Sequence, residues 1–311
     1  MSVEIAVIGP QRPFVLETLE REFVVHKVFD APDKAAALQP VAERIRGVVT
    51  NAMAGLPPTT IEALPNLEIC AIMGVGLEKT DLTLAKARGI VVTTTPVLYD
   101  DVSDLAVILG MTACRRIAAA DRFVRSGQWL QGRIAPAHKF SGKRAGILGL
   151  GRIGTALCAR LQGFNMKIGY YDPLPKTGVP YQAYDSATAL ALDSDILFLC
   201  AAGGQTGGHI VTAEVLNALG PKGVFVNVAR GWLVDEKALV EALTAGRLGA
   251  AGLDVFENEP HVPEALLALD NVVLTPHIAS NTEETMQAMG ECVLDNVRSW
   301  FAGKGALTPV V

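Results

Sequence analysis

The sequence predicts an α/β protein with two parallel-sheet domains. One is a Rossmann-type doubly wound sheet, and the other is a discontinuous flavodoxin-like α/β domain built from both ends of the chain. Three observations predict this. A chain of 311 residues is long enough for two compact cores with a cleft between them. Short β-rich runs alternate with helix-like segments almost from end to end, the rhythm of a parallel sheet. That rhythm occurs twice, with one long helical stretch between the two series.

In the first series, residues 4–8, 46–50, 67–73 and 90–94 have strand character, and residues 15–22, 61–64 and 82–88 are helix-like. Asp100 or Asp101 can then cap a long helix from 102 to about 125. Its apolar residues Val102, Leu105, Leu109, Cys114 and Ile117 recur at three to five residues, and it is expected to bridge the domains. The second series has six strands, at 145–148, 167–171, 196–200, 224–228, 250–253 and 272–274, with helices starting near Arg152, Thr188, Thr212 and Asp235. Six strands in this rhythm make a full doubly wound sheet. The last thirty residues open on the helix-start signal Asn281-Thr282-Glu283-Glu284 and have no strand series to join, so they are expected to fold back onto the first domain. The expected division is residues 1–98 with 281–311, and residues 99–280.

Composition narrows the function. Half the residues are apolar and 19% are charged, in short mixed runs, which argues for a packed globular chain. The longest apolar stretches, 145–150 and 195–202, fall far short of the roughly 20 residues a membrane helix needs. The start, MSVEIAVIG, has no basic region followed by an apolar core, so a cytoplasmic protein with no membrane partner is expected. The cysteines Cys70, Cys114, Cys158, Cys200 and Cys292 are odd in number, widely spaced and set in apolar segments, as reduced core thiols are; no metal site is implied. A net charge of -5 without a basic run leaves no footprint for nucleic acid, so any bound anion must be captured by a local site.

One such site is Gly149-Leu150-Gly151-Arg152-Ile153-Gly154, a GxGxxG between the strand at 145–148 and a helix with apolar Ile153, Leu157 and Leu161. The first glycine makes a tight turn, the second lets backbone approach a pyrophosphate, and the third lets helix and strand pack closely, while the helix start offers free N–H groups. Eighteen residues after Gly154, the strand at 167–171 ends at Asp172, near the spacing at which a carboxylate accepts hydrogen bonds from the adenosine ribose. Its charge would repel a 2′-phosphate, so NAD is the expected cofactor. The alternatives are that Asp172-Pro173 merely starts a turn, or that Lys176 or Arg152 reaches a phosphate and admits NADP.

Three ionisable residues follow the later strands: Arg230 after 224–228, Glu259 after 250–253 and His277 after 272–274. Ligands of open α/β sheets bind at that edge. Reducing a 2-keto acid needs a cation to hold the carboxylate and polarise the carbonyl, a proton donor, and a neighbour that keeps the donor protonated. Arg230 offers a fork of donors, His277 the proton, and Glu259 a carboxylate for the other imidazole nitrogen. Each alone also has a plain structural explanation, as strand cap, exposed turn or loop histidine; three at successive strand ends favour chemistry.

The blocks Asn227-Val228-Ala229-Arg230-Gly231 with Val234-Asp235-Glu236, Leu253-Asp254-Val255-Phe256-Glu257-Asn258-Glu259-Pro260, and Leu274-Thr275-Pro276-His277-Ile278 resemble, in order, the signatures of the D-isomer-specific 2-hydroxyacid dehydrogenases. The resemblance also covers Gly149 to Gly154, residues 91–106 and the end 307–311, and is strongest to the glyoxylate/hydroxypyruvate and hydroxyphenylpyruvate reductase group, which shares Phe140-Ser141-Gly142-Lys143. It implies substrate binding by Arg230, a charge relay through Glu259, acid-base catalysis by His277, and a dinucleotide domain at 99–280 beside a substrate-binding domain. It places Val228, Ala229 and Asp254 near the cofactor; Asp254 alternatively just ends its strand. It implies that the backbone amides of Val75 and Gly76 hold the substrate carboxylate, a plain turn being the alternative. Trp129 matches an aromatic that reaches a partner subunit's substrate site in a homodimer, or is an ordinary interface or core tryptophan. In two places the chain departs from the group. Relatives often carry Ser-Arg or Gly-Arg, a 2′-phosphate anchor, where Asp172-Pro173 stands, and the chain is one residue short between Pro96 and Asp100.

The expected activity is reduction of a small 2-keto acid, glyoxylate or hydroxypyruvate first, to the D-2-hydroxy acid. The alternative of another class is a non-catalytic NAD-sensing corepressor-like scaffold, against which the proton donor argues. Within enzymes the alternatives are a D-lactate or hydroxyphenylpyruvate-specific reductase; a formate dehydrogenase, which would carry Gln at position 259; a phosphoglycerate dehydrogenase, which would add a regulatory domain after Val311; and an L-type dehydrogenase, whose glycine loop lies near the N-terminus.

Overall fold

The computed structural model describes residues 2–174, 176–202 and 208–311. These fall into two compact units, Met1–Leu98 with Thr282–Val311, and Tyr99–Asn281.

The first unit has a five-stranded parallel sheet in the order β2-β1-β3-β4-β5, from β1 (Glu4–Val7), β2 (Val24–Lys27), β3 (Ile45–Asn51), β4 (Ile69–Met73) and β5 (Val91–Thr93). This is the flavodoxin-like order. Helices α1 (Pro13–Glu22), α2 (Lys34–Leu38), α3 (Pro58–Ala63), α4 (Leu82–Ala87) and α12 (Glu283–Phe301) complete the unit. Ile8, Ile45, Val48, Ile61, Cys70, Ile72 and Val92 are buried in its core, each large aliphatic contributing about 1.5–3 kcal/mol. Thr282 caps α12, its hydroxyl accepting from the Thr285 N–H. Beyond that helix the tail turns back antiparallel to β5: Val310 N–H donates to Val92 O and Val92 N–H to Val311 O. Buried Asn296 fixes it, accepting the Leu307 and Thr308 N–H groups and donating to Thr308 Oγ1.

The second unit has a seven-stranded parallel sheet in the order β12-β11-β10-β9-β6-β7-β8: β6 (Arg144–Leu148), β7 (Lys167–Tyr171), β8 (Gln182–Ala183), β9 (Ile196–Leu199), β10 (Val224–Asn227), β11 (Ala250–Leu253) and β12 (Val272–Leu274). Counted within the unit this is the doubly wound order with one added edge strand, and it reverses direction between β6 and β9. The helices are α5 (Tyr99–Arg115), α6 (Ile117–Arg125), α7 (Arg152–Gln162), α8 (Ala187–Leu192), α9 (Ala213–Leu219), α10 (Glu236–Thr244) and α11 (Glu264–Leu267). Ser186 and Asp235 cap α8 and α10 with side-chain oxygens. Leu148, Leu197, Leu199, Phe225, Leu239 and Leu253 are buried in the core.

The structure corrects five expectations. The long helix breaks at Arg116, whose φ of 52° is left-handed, so α5 and α6 are separate. Asp100 and Asp101 lie in the first turn of α5 rather than capping it, and α5 belongs wholly to the second unit. A seventh strand, β8, is two exposed residues at the sheet edge, too short to leave an apolar run. In the first unit β2 is also an edge strand, and its Val24-Val25-His26-Lys27 has no fully buried residue, hence no core pattern.

All five cysteines are unpaired. Burial pushes the Cys114 thiol up to about 11 and Cys158 to about 12, with Cys70 and Cys200 higher still, so these are protonated core groups. No described helix is long and apolar enough to cross a membrane.

Candidate active site

The register of the second sheet brings the sequence motifs to one edge. Leu274 pairs with Leu253, Leu253 with Asn227, Asn227 with Leu199, Leu199 with Leu148, and Leu148 with Tyr171. Those six residues end their strands in a row. The chain segments leaving them carry His277, Glu259, Arg230, Gly149 and Asp172. At about 4.8 Å per strand, β12 and β6 are some 19 Å apart along this row.

The glycine loop is shaped by what surrounds it. Gly149 has φ 91°, and a Cβ there would lie 2.5 Å from Ala201 Cα. A Cβ on Gly154 would lie 2.3 Å from Gly149 O. Both glycines are thus required by the protein's own packing. Gly151 differs: its φ of -81° suits any residue, and a Cβ there meets nothing within 4 Å. The space it faces is open, at the start of α7, which no side chain caps. The first-turn N–H groups, including those of Ile153 and Gly154, have no partner within the helix, so loop and helix suit the pyrophosphate of a dinucleotide.

Asp172 is nearly buried. Its Oδ2 accepts the Leu150 N–H at 2.8 Å, tying the glycine loop to the end of β7, and its Oδ1 accepts the Leu174 N–H at 2.9 Å. Lys176 Nζ lies 3.4 Å from the same carboxylate. The Asp-Pro turn is therefore formed, and the carboxylate still has lone pairs for a ribose. Arg152 donates to the Tyr99 hydroxyl and, among the described residues, to no carboxylate.

Of the three ionisable residues, Glu259 and His277 meet directly, with His277 Nδ1 2.8 Å from Glu259 Oε2. The other carboxylate oxygen accepts the Phe256 N–H at 3.1 Å, which orients it. The imidazole is 41% exposed, and with Nδ1 occupied its Nε2 is the nitrogen left for a ligand. Half-buried Arg230 donates through Nη1 to Ala229 O at 2.8 Å. Its turn is held by buried Asn227, which donates to Arg230 O and accepts the Ala229 N–H; Val228 and Ala229 are buried in that turn. Gly231 lets this turn lie against the Glu259 loop, because a Cβ there would lie 1.8 Å from Phe256 C.

Asp254 has a more specific place than a strand end. It is completely buried, and its carboxylate accepts the Thr275 hydroxyl at 2.7 Å, the Ile278 N–H at 2.8 Å and the Ala279 N–H at 2.9 Å. Its own carbonyl accepts the His277 N–H at 2.9 Å. These bonds close around His277, whose φ of 53° is unfavourable for a side-chain-bearing residue by about 1 kcal/mol or more. Sequence reasoning did not single out Asn227 or Thr275; a polar residue at the buried end of an apolar strand was the available signal.

Val75 and Gly76 belong to the first unit, in the loop after β4. Gly74, at φ 116°, donates to Thr95 Oγ1, while the amides of Val75 and Gly76 find no acceptor among the described residues. Trp129 lies in a short 3-10 turn (Gln128–Leu130) of the second unit, 65% exposed, so it is not a core tryptophan.

Residues 107–279 match the family described as D-isomer specific 2-hydroxyacid dehydrogenase, NAD binding domain. Over its full length the chain is 47% identical to a glyoxylate/hydroxypyruvate reductase of Arabidopsis thaliana, covering 99% of it, and 45% identical to a hydroxyphenylpyruvate reductase of Plectranthus scutellarioides, again covering 99%. Among solved structures it is similar to an NADPH-dependent glyoxylate/hydroxypyruvate reductase of Sinorhizobium meliloti in complex with NADP and malonate. There the TM-score is 0.94 at 40% identity, covering 100% of this chain and 97% of that one. A 2-hydroxyacid dehydrogenase of Ketogulonicigenium vulgare Y25 gives a TM-score of 0.95 at 44% identity, covering 100% and 99%.

Proposed function

The chain belongs to the D-isomer specific 2-hydroxyacid dehydrogenase family, and from that premise we propose that it reduces a small 2-keto acid, glyoxylate or hydroxypyruvate, to the D-2-hydroxy acid with a nicotinamide cofactor. The observation that carries this reading is the Glu259–His277 pair, with Nε2 free, beside the Arg230 turn and on the same sheet edge as the glycine loop.

The cofactor would lie over Gly149, Gly151, Arg152, Ile153 and Gly154 at its pyrophosphate, with Asp172 at the adenosine ribose and Val228, Ala229 and Asp254 toward the nicotinamide. When bound it supplies the hydride. Arg230 binds the substrate carboxylate and polarises the carbonyl. His277 gives the proton from Nε2 to the carbonyl oxygen as the carbonyl carbon becomes C–H, and Glu259 holds the imidazolium from Nδ1. The product is the D-2-hydroxy acid. Asp172 favours NADH over NADPH by charge, although the related Sinorhizobium enzyme is NADPH-dependent. We place the protein in the cytosol as a homodimer: Ile117, Val124, Trp129 and Leu130 are all exposed, Leu130 at 94%, on one stretch of the second unit.

The test is the initial rate of NADH and NADPH oxidation with glyoxylate, hydroxypyruvate, pyruvate and phenylpyruvate, for the wild type and His277→Ala. Turnover with the first two and a loss of about 10²–10⁴-fold in the variant are expected. Wild-type protein that binds NADH but turns over no keto acid would sink the reductase reading in favour of an NAD-sensing scaffold.

A further inference from the structure

Arg152, the first residue of α7, adjoins Gly151, the one loop glycine that faces open space. Side chains at a helix start lean back toward the N-terminus, so this guanidinium belongs over the loop rather than along the helix. Tyr99 holds it in two ways: Arg152 Nη1 donates to the phenolic oxygen, and the guanidinium carbon lies 5.4 Å from the ring centroid. A hydrogen bond and a ring face from a single side chain restrict a cation that is otherwise free to swing. The remaining donors of the fork have no partner among the described residues.

Tyr99 is itself fixed. It opens α5, and α5 is tied to α7 again further along, where Arg160 donates to Asp100 Oδ1 at 2.9 Å and to Asp104 Oδ1. The two helices are thus held in register at three points: Tyr99 with Arg152, and Asp100 and Asp104 with Arg160. None of these contacts contributes to the core, and the one at the glycine loop ends in an exposed cation whose other donors have no partner among the described residues.

We infer that Tyr99 is a positioning residue of the cofactor site, holding the Arg152 guanidinium over the glycine loop where it meets the phosphates of the dinucleotide. This rests on the cofactor reading above. Tyr99 acts through Arg152, so its effect falls on cofactor affinity and leaves the chemical step alone.

The experiment is a double-mutant cycle on the full-length protein: wild type, Tyr99→Ala, Arg152→Gln and the pair, with Tyr99→Phe as the conservative variant. KM for NADH, kcat, the thermal midpoint and the NADH dissociation constant by fluorescence titration are measured for each. Tyr99→Ala should raise KM and the dissociation constant for NADH by about five- to tenfold with kcat within about twofold, and Tyr99→Phe, which keeps the ring face, by less. On the Arg152→Gln background, Tyr99→Ala should add nothing. Unchanged or tighter NADH binding in Tyr99→Ala, or an equal loss on the Arg152→Gln background, overturns the inference while leaving the cofactor reading intact. Wild-type protein that binds neither NADH nor NADPH removes the cofactor reading and the inference with it.

Discussion

Replacing Asp254 by Asn changes one atom and tests what holds His277 in place. The carboxylate accepts three hydrogen bonds, two on Oδ1 from Thr275 and Ile278 and one on Oδ2 from Ala279. Asn fits best with its amide nitrogen in place of Oδ2, which keeps the first two and turns the third into two donors facing each other. Losing one bond to a buried charge costs about 1.5–3 kcal/mol. That is comparable to what holds the 275–279 loop at the unfavourable φ of His277. With about 1.5–3 kcal/mol taken from the loop's reactive arrangement, kcat should fall roughly 10- to 150-fold. The assay is keto-acid turnover at saturating NADH, with the NADH dissociation constant measured alongside. A fall in kcat at unchanged NADH affinity is the expected outcome. A kcat within about threefold of wild type would refute the view that this carboxylate organises the loop. A loss confined to NADH affinity would show that this carboxylate acts on cofactor binding and not on the loop around His277.

The loop glycines should separate by role. Gly151→Ala should keep the wild-type thermal midpoint, since its Cβ enters open space, yet weaken NADH binding at least about tenfold by filling the pyrophosphate approach; wild-type affinity would remove the pyrophosphate from that spot. Gly154→Ala should instead destabilise the fold by about 1–3 kcal/mol, because its Cβ meets Gly149 O at 2.3 Å, and an unchanged unfolding midpoint would contradict that packing. Analytical ultracentrifugation should give twice the chain mass for the wild type and the chain mass for Trp129→Ser with Leu130→Ser; a wild-type monomer at micromolar concentration would end the dimer proposal.

Much of the site was legible because its chemistry lies in short contiguous blocks. A glycine loop, an arginine after one strand and a histidine after another announce themselves by residue type and spacing. Parallel strands with apolar runs also end together, so residues following those ends were expected at one edge. Edge strands were not legible: β2 and β8 bury nothing completely and leave no period to read. The break at Arg116 was hidden for a related reason, since the apolar spacing runs on through a residue whose backbone turns left-handed.

By itself the sequence determined the two α/β series, the glycine loop and the three ionisable residues after the later strands, because these depend on local periodicity and residue chemistry. Only the tertiary structure decided which atoms meet. It paired His277 Nδ1 with Glu259, separated Gly151, which faces open space, from Gly149 and Gly154, which the fold's own packing requires, and bound the Asp254 carboxylate to the loop around His277. Strand register and buried hydrogen bonds join residues that are distant in the chain, and no local pattern encodes which donor will face which acceptor once the core has closed.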